Sequence, residues 1–324
     1  MDFDTIFTGF NSKRLLIVGD AMIDAYMWGE INRISPEAPV PVVEVKKHEN
    51  RLGGAANVAL NLKSLGATPI LCSVIGNDSK GILFEKLMHT ANLSTEGLLT
   101  SKKRRTTLKT RVISENKHQL RVDEEDTHPI TVETQFLKLI KELINNIDVI
   151  ILQDYNKGVL TPKVITAVIE IANAKNIPTI VDPKKKNFNF YKGCTIFKPN
   201  LVEIKSGMNI DFNADNVSEI KRISAELRSL LSAKAVLLTL SARGICINSK
   251  EKFTLTPAFK RNIIDVSGAG DTVISVAALS LASNMDLTDI SVLSSLAGGI
   301  VCEEVGVVPI NKEKLLIEAK KNIT

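Results

Sequence analysis

Leu15-Leu16-Ile17-Val18-Gly19-Asp20 is a short apolar run that ends in a glycine and an acid. Four consecutive aliphatic residues read as a strand buried on both faces, and the polar pair marks its carboxyl end. The same pattern returns along the chain. Val149-Ile150-Ile151-Leu152 is followed by Asp154, Thr179-Ile180-Val181 by Asp182, and Thr195-Ile196-Phe197 by Asn200; Thr68–Val74 and Ala235–Leu240 are further strands. Helical periodicity fills the intervals: Ala55–Leu65, Lys80–Ala91, Thr131–Asn145, a helix opened by Thr161-Pro162, Val217–Leu231, Gly270–Ser283 and Leu287–Glu304. Pro162 suits a first turn, and Gly66 suits the residue just past a last one. Strands alternating with helices predict an α/β fold with a mostly parallel central sheet covered on both faces. The polar residues after the strands then gather along one sheet edge, where ligands bind in such folds.

Two stretches break this rhythm. Tyr26–Val45 holds Pro36, Pro39 and Pro41 and alternates only weakly, which reads as a loop plus an extended edge strand. Thr106–Ser114 and Gln119–Val122 read as short strands. Segments 26–50 and 104–126 are therefore expected to form a small β lid over the site.

The chain has 324 residues, 44% hydrophobic and 24% charged, which is globular composition with enough length for a core that needs no disulfides. Cys72, Cys194, Cys246 and Cys302 form no C-x-x-C pair, and Met1–Phe10 has no cationic segment before an apolar one. No apolar run approaches the ~20 residues that span a bilayer. A cytoplasmic protein without membrane partners is expected. The net charge of +5 is mild, and with only 5% aromatic residues a nucleic-acid groove is not indicated. His48, His89, His118 and His128 lack metal-ligand spacing and are expected at the surface.

The chemistry concentrates in Asp265-Val-Ser-Gly-Ala-Gly-Asp-Thr272. Two glycines and small neighbours precede a helix, so backbone N–H groups at its start face any anion that comes close. Asp271, inside the first turn, is placed to act as a base toward a hydroxyl. No G-x-x-x-x-G-K-[ST] string occurs, so phosphate binding falls to Ser267–Gly270.

This string resembles the carboxyl-terminal signature of the ribokinase (phosphofructokinase-B type) sugar kinases. Leu52-Gly-Gly-Ala-Ala-Asn57 is similar to their sugar-contact segment, Lys198-Pro-Asn-Leu-Val-Glu203 to their N-x-x-E motif, and Thr239–Gly244 to their nucleotide-phosphate loop. Within the family, Gly19–Asp24, Arg33–Val43, Thr107–Val112, Gln119–Asp123, Asp154–Gly158 and Val181–Lys184 resemble the kinase part of D-glycero-β-D-manno-heptose 7-phosphate kinases. The resemblance implies a ribokinase-like three-layer fold, here as one kinase domain over 1–324. It also implies ATP-dependent phosphorylation of a sugar phosphate with magnesium; a monovalent-cation requirement stays open. Another sugar or sugar-phosphate kinase of the same fold is the alternative. No H-x-G-H-like segment is present, so no adenylyltransferase domain is expected and a separate adenylyltransferase would take the next step. The lid is expected to pair with that of a second copy.

Roles carry over by position. Asp271 matches the catalytic base, and Gly268, Ala269 and Gly270 the anion hole. Asp24, Gly53, Gly54 and Asn57 match the sugar contacts. Asn200 and Glu203 match the residues that organise magnesium, through water, and Thr239, Gly244 and Ser267 the nucleotide contacts. For the substrate's phosphate, Arg105 and Lys157 are the leading candidates among Arg104, Arg105, Lys109, Arg111 and Lys157, because guanidinium and ammonium groups suit phosphate.

Overall fold

The computed structural model describes residues 2–115 and 117–323. In chain order it runs α1 (Phe3–Gly9), β1 (Arg14–Gly19), β2 (Ala21–Ile34), β3 (Pro41–Gly54), α2 (Ala55–Ser64), β4 (Thr68–Gly76), α3 (Ser79–Thr90), β5 (Leu98–Ser101), β6 (Leu108–Ser114), β7 (Lys117–Glu124), α4 (Glu133–Leu143) and β8 (Val149–Gln153). It continues with α5 (Pro162–Ala174), β9 (Thr179–Asp182), β10 (Ile196–Phe197), α6 (Leu201–Met208), α7 (Val217–Leu230), β11 (Ala235–Thr239), β12 (Ile245–Ser249), β13 (Phe253–Thr256), α8 (Ala269–Ala282), α9 (Leu287–Val301) and α10 (Lys312–Asn322).

The main sheet has the order β13-β12-β11-β10-β9-β8-β1-β4-β5. All its pairings from β5 to β11 are parallel, and β12 and β13 are added antiparallel at one edge. Period-two alternation splits each strand between two cores. Leu15 and Ile17 pack with α1, α2, α3, α8, α9 and α10, whereas Leu16 and Val18 pack with α4, α5, α6 and α7. The result is the expected layering of helices, sheet and helices. The strand-initial helix signals also hold: Thr161 accepts from the Val164 N–H ahead of Pro162, and Gly66 takes φ +99° just past α2. All four cysteines are buried free thiols. Among the described residues, no helix is long and apolar enough to cross a membrane.

The second sheet, β3-β2-β6-β7, is the lid. Here the reading of Tyr26–Val45 as loop plus edge strand is corrected. β2 and β3 form one long antiparallel hairpin, paired from Ala21 opposite Gly54 to Ile34 opposite Pro41 with two register shifts on the way, and only Ser35–Val40 lies outside it. The prolines misled because they punctuate: Pro36 and Pro39 lie in the turn, and Pro41 begins an edge strand, where a missing N–H breaks no ladder. Only Asp20 separates β1 from β2, and β3 runs straight into α2. Helices α1, α6 and α10 and strands β5, β12 and β13 are additions to the elements anticipated.

Candidate active site

Helix α8 begins without a side-chain cap, behind Gly268 at φ +80°. The Ala269 N–H, expected in the anion hole, turns back to the Val266 carbonyl at 3.3 Å, whereas among the described residues no hydrogen bond takes the N–H groups of Gly270 and Asp271, which start the helix on the cleft wall with the positive end of its dipole behind them. A β-carbon on Gly268 would press on Val307 at 3.2 Å and on Asn57 Nδ2 at 3.4 Å, in a backbone region that L-residues avoid. The cleft has a volume of about 760 Å³, and Asn200, Glu203, Thr239, Gly244, Gly268 and Asp271 all line it. Ala269 and Gly270 lie along the same wall. The Ser267 N–H is turned to Asp265 Oδ1 at 2.9 Å.

Asp271 is only 6% exposed. Its Oδ1 accepts from Tyr155 OH at 2.6 Å and Gln153 Nε2 at 3.0 Å, and its Oδ2 accepts from Asn57 Nδ2 at 2.7 Å. Oδ1 is thus filled, and Oδ2 keeps one lone pair for a substrate hydroxyl. Burial pushes the carboxyl up to about 6, with the nearby Asp182 charge adding to it, while the Asn57 and Tyr155 hydrogen bonds and Lys198 pull it back. At pH 7 it is mostly ionised and close in basicity to what proton transfer at that pH needs.

Two of the polar residues that follow strands do structural work instead. Asp20 is 1% exposed and turns both oxygens to backbone: Oδ2 accepts from the N–H groups of Tyr155 (2.8 Å) and Lys157 (3.0 Å), and Oδ1 from Val159 (3.0 Å). It shapes the loop that carries Tyr155 to Asp271. Asp154 accepts from the Asn156 N–H, Asn187 Nδ2 and Tyr191 OH. Burial, then the neighbouring Asp20, raises it to about 6.

Asn200 and Glu203 form a capping box on α6. Asn200 Oδ1 accepts from the Glu203 N–H and Glu203 Oε2 from the Asn200 N–H, each at 2.9 Å. The remaining oxygen, Oε1, is ion-paired with Lys184. Burial lowers the affinity of Lys184 for its proton, but the Asp182 and Glu203 charges outweigh it and leave the ammonium above the ordinary lysine range. Lys198, 2% exposed, pairs with Asp182 Oδ1 at 3.1 Å. Thr239 is bridged to Asn200 at the end of β11. Gly244, at φ +100°, passes so close to the Thr256 carbonyl that no side chain fits.

On the lid side, Asp24 is buried and ion-paired with Arg111 of β6. A β-carbon on Gly53 would overlap the Asp24 carboxylate, and one on Gly54, at φ +59°, would reach the Asp20 carbonyl at 2.5 Å. Lys157 and Lys109 both pair with Glu125, at 2.7 and 3.0 Å, and both are largely buried. Arg104 is 8% exposed and donates to the Lys157 carbonyl at 2.6 Å. Arg105 points elsewhere: its side chain is 58% exposed and meets Asp126 at 3.3 Å. Among the described residues no hydrogen bond or ion pair ties it to Asp24 or Asp271.

Sequence reasoning assigned no individual role to Gln153, Tyr155, Asp182 or Lys198, and it read Lys184 only within the Lys184–Lys186 cluster, as solvated loop charge or as an attraction for phosphorylated small molecules. Their one signal was position, within a few residues after a strand. The four histidines are exposed, and among the described residues no group of three or more His, Cys, Asp or Glu is poised to cage a metal alone.

Comparison with known proteins agrees with this geometry. The chain is 39% identical over 296 residues to the bifunctional protein HldE of Helicobacter pylori (strain G27), covering 91% of this chain and 64% of that protein. It is 40% identical over 310 residues to HldE of Desulfatibacillum aliphaticivorans, covering 94% and 63%. The chain thus spans somewhat under two thirds of the length of these relatives. Among solved structures, phosphofructokinase-2 from Escherichia coli in complex with potassium superposes with a TM-score of 0.79 at 17% identity, covering 95% of this chain and 99% of that one. Arabidopsis thaliana ribokinase complexed with ribose and ATP gives 0.74 at 16%, covering 94% and 98%. The fold is therefore ribokinase-like. The pattern of the pfkB family carbohydrate kinases matches residues 12–314, and with its glycine turn, buried acid and capped N-x-x-E helix in place the chain belongs to that family of sugar kinases.

Proposed function

We propose that the chain transfers the terminal phosphoryl group of ATP to O1 of D-glycero-β-D-manno-heptose 7-phosphate, giving the 1,7-bisphosphate used in ADP-heptose and lipopolysaccharide core biosynthesis. The observation that carries this is Asp271: a buried carboxylate with one lone pair open on Oδ2, in the first turn of an uncapped helix. The sugar hydroxyl gives its proton to Oδ2 as its oxygen attacks the γ-phosphorus. The bond to the β,γ-bridging oxygen breaks and ADP departs. The open N–H groups of Gly270 and Asp271 face the charge that builds on the transferring group. Asp24, Asn57 and the backbone of Gly53 and Gly54 orient the sugar. Lys157 and Arg105 remain the proposed contacts to its phosphate, with the geometry favouring Lys157. Thr239 and Gly244 line the path of the nucleotide phosphates, and Ser267, whose N–H is held by Asp265, is proposed as a contact through its hydroxyl.

The donors around Glu203 suit magnesium, a hard cation that retains waters and takes only one or two carboxylates beside phosphates. Glu203 Oε1, with Asn200 and Asp182 next to it, would hold the ion through those waters. When bound with the nucleotide, it spreads the negative charge of the polyphosphate.

The similarity of six further segments to heptose 7-phosphate kinases supports the choice of sugar, as do the HldE relatives. The lid supports a homodimer: Ile34, Val40 and Val45 near the hairpin tip and Leu120 and Val122 on β7 are exposed, and β3 and β7 are free edges. Incubation with ATP and heptose 7-phosphate, with the new ester located by phosphorus NMR, tests the assignment. A signal for an anomeric phosphate is expected. Turnover of ribose or fructose 6-phosphate without turnover of the heptose would replace the substrate and leave the kinase reading standing.

Tyr155 gives a second check. Its hydrogen bond favours the charged form of Asp271. Tyr155→Phe therefore raises the pKa of the base. The rate is high above that pKa and falls as pH drops through it, so the acid limb of the kcat/KM profile moves to higher pH in the variant. An unmoved limb would detach that limb from Asp271.

A further inference from the structure

The phosphoryl path carries a charge problem. Asp182, Glu203 and Asp271 line one cleft, and a nucleoside triphosphate brings more negative charge into it. Cations on the same cleft wall are Lys184, Lys198, Lys260 and Arg261. Lys198 is 2% exposed and bound to Asp182. Arg261 is held by Glu303 at 3.3 Å and Glu318 at 2.6 Å. Lys260 is exposed to solvent.

Lys184 differs from these. Its side chain is 32% exposed, so it has room to move. Its ammonium pairs with the one Glu203 oxygen left outside the capping box. It also lies 5.7 Å from the centre of the Tyr155 ring, whose hydroxyl is bonded to Asp271. It therefore spans the interval between the acid of the N-x-x-E helix and the base, which is the interval a transferring phosphoryl group crosses.

We infer that Lys184 is a catalytic residue that leaves Glu203 to contact the γ-phosphoryl group, holding it between the glycine turn and Asp271. This rests on the kinase reading above and adds to it. Without nucleotide, the ammonium neutralises Glu203. With a triphosphate bound, the γ-phosphate oxygens compete for the same ammonium and win, because they carry more charge and accept more hydrogen bonds. A compact ammonium on a flexible stem suits such a hand-over better than a fixed guanidinium fork.

The test is the discrimination between di- and triphosphate in Lys184→Met, which keeps the stem and removes the charge. Calorimetry compares ADP with the β,γ-imido analogue of ATP, once with magnesium and once with a chelator. We expect ADP affinity within about threefold of the wild type, the analogue weakened at least tenfold in both conditions, and kcat lowered about a hundredfold with an unchanged melting temperature. Equal weakening of both nucleotides would mean that Lys184 only holds Glu203 in place, and would overturn the inference. So would no weakening of either. If the wild-type chain binds neither nucleotide, the kinase reading itself fails, an outcome distinct from these two. A change of sugar substrate leaves the binding arms untouched.

Discussion

Asp271→Asn lowers kcat by about 10²–10⁴ while nucleotide binding holds. The substitution is nearly isosteric, and the carbonyl of an asparagine still accepts from Tyr155 and Gln153 in place of Oδ1. What it removes is the charge and Oδ2 as an acceptor, so the Asn57 amide loses its partner there along with the sugar hydroxyl. The sugar hydroxyl then has no group to receive its proton, so the chemical step slows and ground-state contacts survive. Single-turnover kinetics beside calorimetry of the nucleotide separate the two effects. The residual rate also loses its dependence on an ionisation near 6, the value to which burial raises Asp271. Turnover equal to wild type would show that another group takes the proton.

Asp20→Ala costs stability on the order of 3–5 kcal/mol and activity with it. The carboxylate accepts three backbone N–H groups of one loop. Alanine leaves all three donors unmet in a place where the original side chain was 1% exposed, so water replaces the lost bonds poorly. The same loop carries Tyr155 to the base and Lys157 to the lid acids. Urea unfolding measures the first effect, and amide exchange at 155, 157 and 159 locates it. Asp20→Asn, which keeps one acceptor, falls between. A full-length variant as stable as wild type would mean that the loop is held from elsewhere.

The central sheet was legible because its strands are buried on both faces, so Leu15–Val18 and Val149–Leu152 announce themselves as unbroken apolar runs. The lid hairpin was not, since most of β3 faces solvent and its stretch Glu44–Arg51 carries charge at five of eight positions. Helix α6 was hidden for another reason. Its start, Asn200-Leu-Val-Glu203, is both a capping box and a functional motif, and only the second use was read. The glycine turn and Asp271 sit in one continuous string and could be recognised together. The residues that tune Asp271 could not: Tyr155 and Gln153 lie 116 and 118 positions away in sequence and meet it only because β8 and α8 are brought together. Lys184 heads a run of three lysines, and a run of like charges does not say which member turns inward.

The direct joins at the lid roots have a mechanical consequence. With a single residue between β1 and β2 and none between β3 and α2, the hairpin is a cantilever clamped in the core. It has no slack joint at its base on which to swing as a flap. Its compliance resides instead in strand twist and in the register irregularities between Trp28 and Gly29 and between Ile31 and Arg33, part-way toward the tip. Asp24 and Gly53, inboard of those points, stay rigid with the base while the outer blade bends. Growth or trimming of the blade at Ser35–Val40 accordingly changes its reach and its docking surface without disturbing the geometry at the clamped end.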